Sequence, residues 1–278
     1  MIRVATWNVN SLKVRLPHLL QWLKLCDENQ QSVDLIGLQE LKITNDKFPT
    51  AELEEAGFYS LPLGQKTYNG VALLVRKTSL APLHQDPETT FLQVQKNIPD
   101  WVDEQQRLIA STIHFKETAP IRIICGYFPN GQSPESDKFV YKMQWLDALK
   151  KYLASQLQVY PRLILMGDFN IAPEDQDVHD PKAWLGQNLV SPEERAFFAQ
   201  FQDMGLLDSF RLFEQEPKSF SWWDYRMMGF RRNAGMRIDH VMVSQELKEK
   251  CTACTVDKVP RKWEQPSDHA PVILTLKK

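Results

Sequence analysis

Cysteine is scarce: the 278 residues hold four, at Cys26, Cys125, Cys251 and Cys254. So few thiols, with no leader-like stretch before the first apolar run, argue against a disulfide framework. Cys251 and Cys254 form a lone CxxC and read as two strand cysteines. Zinc would need further ligands, and Thr252, Ala253 and Thr255 supply none. Glycine is sparse too, at 11 residues, and neither it nor the 17 prolines cluster. That pattern excludes low-complexity linkers and repeats of fixed period, and leaves one domain over residues 1–278. No apolar run approaches the length of a membrane span, so no membrane partner is expected. Ile2 to Asn8 already reads as a strand, so no signal peptide is expected, and the expected location is the cytoplasm. Excess charge is also missing, with a net of −2. Binding DNA through global positive charge is thereby excluded. A local basic face is not, because a cluster of catalytic carboxylates would mask it in the total. Arg226, Arg231, Arg232 and Arg237 are close enough in sequence to form one.

What the sequence does have is short apolar runs rich in Val, Ile and Leu. They are Ile2–Trp7, Asp34–Gln39, Gly70–Val75, Leu108–Ile113, Ile121–Tyr127, Leu163–Met166, Ile238–Val243 and Val272–Leu276. Such runs suit strands buried on at least one face. Helical spacing lies between them, in Leu16, Leu19, Leu20, Leu23 and again in Met143, Leu146, Leu149, Leu153. Ser191-Pro192-Glu193-Glu194 is a helix start: a capping Ser, Pro at the first position, acids in the first turn. Alternating strands and helices with hairpin-like pairs predict an α/β fold of two packed mixed sheets flanked by helices.

Polar residues end almost every run. Asn8 and Asn10 follow the first, Glu40 the second, Tyr127 and Asn130 the fifth. Asp168 and Asn170 follow Leu163–Met166, Asp239 lies at the start of the seventh, and Asp268 and His269 precede the last. Singly, each is an ordinary turn or capping residue. Together they form an inventory suited to phosphate-ester hydrolysis. Carboxylates hold a hard metal ion through oxygen, amides and His donate to phosphate oxygens, and an ionisable group activates water.

The chain resembles the exonuclease III family of abasic-site endonucleases, within the endonuclease/exonuclease/phosphatase superfamily. The motifs that carry the resemblance run in family order from Ile2 to Leu276: WNVNSL, DLIGLQELK, YNGVALL, GYFPNG, GDFNIAP, FSWWDYR, GMRIDH and PSDHAPV. The resemblance implies a four-layer α/β sandwich and a magnesium-dependent phosphodiesterase, with manganese as an alternative ion. It implies Glu40 as principal metal ligand, with Asp268 and Asn10 on the metal side. Asn8 and Asn170 would orient water or phosphate. Asp168 would activate water or protonate the leaving oxygen. Tyr127 and Asn130 would contact phosphate, and His269, partnered by Asp239, would stabilise the transition state.

Substrate choice in that superfamily rests on loops. The resemblance places Trp222, Met236 and Ile238 around a small pocket for a flipped-out abasic sugar, and Arg226 against the DNA. The implied partner is double-stranded DNA with abasic sites or 3′ ends, and a monomer is the expected state. One loop, Glu174–Trp184, departs from the family pattern. His179, between Pro173 and Pro181, is expected to narrow the exit for DNA beyond the cut. That keeps an alternative open: a 3′-end-processing phosphodiesterase or 3′–5′ exonuclease with little abasic incision. A DNA-binding scaffold without catalysis would lack Glu40, Asp168 or His269, and all three are present.

Overall fold

The computed structural model describes residues 1–278. Its strands are β1 (Ile2–Asn8), β2 (Leu35–Gln39), β3 (Phe58–Leu63), β4 (Val71–Arg76), β5 (Leu92–Lys96) and β6 (Leu108–Ile113). They continue as β7 (Ile121–Tyr127), β8 (Leu163–Asp168), β9 (Leu206–Asp208), β10 (Asp239–Ser244), β11 (Cys251–Val256) and β12 (Val272–Leu276). The helices are α1 (Leu12–Glu28), α2 (Thr50–Glu55), α3 (Pro87–Thr90), α4 (Asp137–Val159), α5 (Pro181–Trp184) and α6 (Pro192–Asp203).

The strands form two six-stranded sheets, in the orders β11-β12-β1-β2-β4-β3 and β5-β6-β7-β8-β10-β9. Within each, one central pair is parallel, β1 with β2 and β7 with β8. Every other pairing is antiparallel, so the sheets are mixed as the sequence pattern indicates.

Strand alternation creates the layers. Ile123 and Cys125 of β7, and Ile164 and Met166 of β8, face a core between the sheets shared with Val4, Leu35 and Leu73. Their neighbours Ile124, Leu163 and Leu165 point outward, onto Trp145 and Leu149 of α4 and Phe198 and Phe201 of α6. On the far side Ala5, Ile36 and Leu74 meet Leu19, Trp22 and Leu23 of α1. The result is helix, sheet, sheet, helix, with period 2 and period 3.6 meeting at each interface. Gly37 faces the other sheet closely: a Cβ there would lie 2.7 Å from Met166 Cε.

The α6 start forms as its sequence signals. Ser191 accepts from Glu194 N while Glu194 reaches back to Ser191 N, a reciprocal cap worth about 1 kcal/mol. Both parallel pairs place their C-terminal ends on one edge of the sandwich, with Asn8, Glu40, Tyr127 and Asp168 at or just past those ends.

Candidate active site

Close backbone approach builds this edge. Gly167 pairs with Gly126 across β7 and β8, and a Cβ on Gly167 would lie 1.8 Å from Gly126 O. Only glycine fits, and the next residue on each strand, Asp168 and Tyr127, is thereby brought level with its neighbour. Asp239 is the register partner of Asp168 on the other side. Three polar side chains thus arrive from three adjacent strands.

Hydrogen bonds then join both sheets. Asn8 Nδ2 donates to Asp168 Oδ2 at 2.9 Å and to Glu40 Oε1 at 3.0 Å. Tyr127 OH donates to the same Glu40 oxygen at 2.8 Å. His269 Nδ1 lies 2.8 Å from Asp239 Oδ2, and its Nε2 lies 3.7 Å from Asp168 Oδ2. Ser221 OH donates to Asp239 Oδ2 at 2.6 Å and fixes that carboxylate.

Burial and neighbours set the charges. Loss of water pushes the Asp168 carboxyl up to about 7; the nearby His269 charge opposes this and Asp239 reinforces it. His269 moves the other way. Burial disfavours its charge, but Asp239 and then Asp168 outweigh that and raise the imidazole to about 10. At neutral pH the site therefore pairs an imidazolium with a carboxyl poised to lose or gain a proton. Burial, followed by Glu40 and Asp168, raises the Tyr127 phenol well above its usual range, so it stays a donor.

Glu40, Asp168 and His269 bring ligand atoms within 4.8 Å of one another. The charged imidazole is no metal ligand in this arrangement, because both ring nitrogens face carboxylates. The oxygens of Glu40 and Asp168 remain, and hard donors of this kind fit a divalent ion such as magnesium or manganese. Asp268 is engaged elsewhere, by Asn10 Nδ2 at 2.9 Å and Trp222 Nε1 at 3.0 Å. Asn10 in turn accepts from Lys42 Nζ at 2.7 Å, and Lys42 sits 3.0 Å from Glu40 Oε2. Sequence reasoning passed over Lys42. Its signal was its place two residues after Glu40: both adopt positive φ, 53° and 52°, in a tight turn.

Asn170 and Asn130 are joined side chain to side chain at 3.0 Å. Buried Lys142 of α4 donates to the backbone carbonyls of both, at 2.7 and 3.2 Å, and pairs with buried Glu194 of α6. That brace was also missed, since Glu194 reads as the capping acid of α6 and nothing near it in sequence marks Lys142 of α4 as a second partner.

A cleft of about 390 Å³ opens over these groups, lined by Glu40, Tyr127, Asn130, Asp168, Asn170, Asp268 and His269 at one end. Trp222, Ile238, Leu189 and Trp184 line the other. Met236 is fully buried behind this apolar wall, held by two backbone bonds to Trp222, both 2.9 Å. His179 does not line the cleft. Its Nδ1 lies 3.2 Å from Gly235 O, and its ring stands edge-on to Trp184 at 6.5 Å, so Trp184 forms the wall and His179 lies alongside. Arg226 reaches the rim, where Asp224 pairs with it at 2.6 Å. Beside it Met227 and Met228 are 78% and 62% exposed, an apolar pair the sequence reading passed over.

The basic face expected from four arginines needs correction. Arg226, Arg231 and Arg232 are exposed, but Arg237 is 1% exposed and bound to Asp177 and Asp208. A buried guanidinium between two acids cannot reach a phosphate. It ties the Asp177 loop to the second sheet instead.

Buried acids, an ionised imidazole and amide donors around one cleft on a double-sheet sandwich define a hydrolytic enzyme of phosphate esters. The chain belongs to the Endonuclease/Exonuclease/phosphatase family, which matches residues 5–269. It is 36% identical to exodeoxyribonuclease III of Haemophilus influenzae, over 98% of each chain. Among solved structures it is similar to a Neisseria 3′ phosphatase, NExo, bound to a product DNA hairpin, with 39% identity, a TM-score of 0.88 and complete coverage of both chains. An AP endonuclease from Archaeoglobus fulgidus is 31% identical, with a TM-score of 0.87 over both full chains. No helix is long and apolar enough to cross a membrane.

Proposed function

We propose that the protein is a metal-dependent DNA phosphodiesterase that removes blocking groups or nucleotides from 3′ ends and hydrolyses the backbone 5′ to abasic sites. The observation that carries this is the pairing of Asp168 and His269, 3.7 Å apart, at the polar end of a cleft whose other end is apolar. Magnesium, or manganese in its place, would be held by Glu40, with Asn10 and Asp268 beside it, and would neutralise charge on the phosphate.

The protein's own groups divide the remaining work. Asn8 turns the Asp168 carboxylate toward the cleft. With both protonation states populated near neutrality, Asp168 is suited either to take a proton from attacking water or to give one to the leaving 3′ oxygen. His269, held by Asp239, donates to a phosphoryl oxygen as its charge grows, together with Tyr127 and Asn170. Trp222, Ile238 and Leu189 receive a sugar without a base, while Met236 backs the wall. Asn130, Arg226 and the exposed Met227 and Met228 would meet the DNA at the rim. A soluble monomer acting on duplex DNA completes this reading.

A second reading has its own support. Trp184, backed by His179, walls the apolar end of the cleft and would obstruct a continuing strand. This favours 3′-end processing over incision, and the similar Neisseria protein is titled a 3′ phosphatase. One assay pair tests both: removal of a 3′-phosphate at a nick, and incision of an intact abasic duplex. Cleavage of both supports the full proposal, 3′ removal alone supports the second reading, and neither would refute the function.

A further inference from the structure

We propose that a cavity at the far end of the second sheet, remote from the acids, binds a phosphate group. It measures about 350 Å³ and is lined by Thr112, His114, Arg122, Tyr160 and Arg162, among others. Arg122 lies near the start of β7 and Tyr127 ends it, which separates the two along the strand by roughly 17 Å at strand rise.

Arg122 pairs with no acid. Arg122 is 3% exposed. Its Nε donates to Gln156 Oε1 at 2.9 Å, and Nη1 donates to Gln93 O at 2.7 Å and Thr112 Oγ1 at 3.5 Å. Nη2 donates to Tyr152 OH at 3.2 Å. These four bonds all go to neutral acceptors, and a guanidinium has five N–H groups, so one donor is left. Arg237, also buried, is by contrast sandwiched by Asp177 and Asp208. A buried charge without a counter-ion is costly, and an anion entering the cavity would supply one.

The other lining groups point the same way. Arg162 has a side chain 25% exposed, and its acidic partner Glu246 is 3.8 Å away and half in solvent. The His114 ring stacks 4.2 Å from that of His84, and burial together with His84 depresses its basicity. Two arginines and an imidazole around a small open cavity suit a tetrahedral phosphate, whose several oxygens can accept from planar guanidinium forks. Inorganic phosphate and a nucleoside monophosphate share that chemistry. Only the second source rests on the proposed 3′-end reaction, which would release such a product.

The test is an NMR titration of the His114 imidazole in the full chain, with inorganic phosphate and separately with dAMP; His114→Gln identifies the signal. The expected result is a saturable shift and a rise in the His114 pKa of about one unit. Arg162→Gln should weaken the apparent affinity about tenfold while DNA cleavage is unchanged. Equal affinity for the two ligands assigns the site to phosphate alone, and tighter dAMP assigns it to the nucleotide. A His114 signal unmoved by both ligands, or identical titrations in wild type and Arg162→Gln, would overturn the proposal even if the enzyme cleaves DNA normally.

Discussion

His269 and Asp239, both buried, meet at 2.8 Å, and this contact keeps the imidazole charged. The sign of the consequence is fixed. A histidine raised to about 10 is protonated below that value, so it stabilises both phosphoryl charge and the folded state there. The stability contribution is complete below the ordinary histidine value and disappears as pH rises through about 10. Activity should therefore persist through pH 8 to 9 and fall around 10. Asp239→Asn removes the strongest favourable neighbour, so the alkaline limb should move down in pH and kcat should drop by about a hundredfold or more. An unchanged alkaline limb in Asp239→Asn, measured as kcat against pH, would contradict the role of this pair.

Lys142 and Glu194 brace the backbone beneath Asn130 and Asn170. Glu194→Gln strands a buried ammonium, and breaking one side of such a pair costs about 3–5 kcal/mol. Lys142→Met/Glu194→Leu should recover part of that loss, because no charge remains buried. Urea denaturation of the single and double variants checks this, and a double variant less stable than Glu194→Gln would defeat it.

The loop after GDFNIAP sets the balance between the two DNA reactions. Trp184→Ala should raise incision of abasic duplex relative to 3′-phosphate removal at a nick, and His179→Gly should do so less strongly. The ratio of rates is the quantity to measure, since general changes in activity cancel in it. Equal ratios in wild type and both variants would show that the loop is no gate.

DNA affinity should weaken with salt although the net charge is −2. Each arginine withdrawn from a phosphate reduces the log–log salt slope by about 0.9. Replacing Arg226, Arg231 and Arg232 with Gln should flatten the slope. Arg237→Gln should instead lower stability, because it leaves Asp177 and Asp208 buried without their guanidinium. A salt slope unchanged by the triple replacement would remove the basic face from the account.

The buried strands were legible because each is a continuous apolar run ending in a polar residue. β3, β5, β9 and β11 were not among the predicted runs, though Cys251 and Cys254 were read as strand cysteines, and all four lie at sheet edges. Edge strands bury one side at most and are often short or polar: β5 reads LQVQK, β3 contains Pro62, and β9 has three residues. At the site, the motifs pointed to the residues that converge on the cleft, since strand ends carry them. Lys42, beside Glu40, and Trp184, in the loop after GDFNIAP, were passed over, whereas Ser221 and the Lys142–Glu194 brace were invisible because their partners lie 18 and 52 residues away. Arg237 misled for the same reason, as nothing in its neighbourhood reveals Asp177 and Asp208.

The central claim is metal-dependent hydrolysis of DNA phosphodiesters at the Glu40–Asp168–His269 cluster. Its most direct test is cleavage of end-labelled abasic duplex and 3′-blocked nicked duplex, with magnesium and with EDTA, comparing wild type with Glu40→Gln. Magnesium should give 3′-hydroxyl products and EDTA none, and Glu40→Gln, which removes a charged oxygen ligand but almost no volume, should lose about a hundredfold or more. Full cleavage in EDTA, or a Glu40→Gln variant as active as wild type, would contradict the claim.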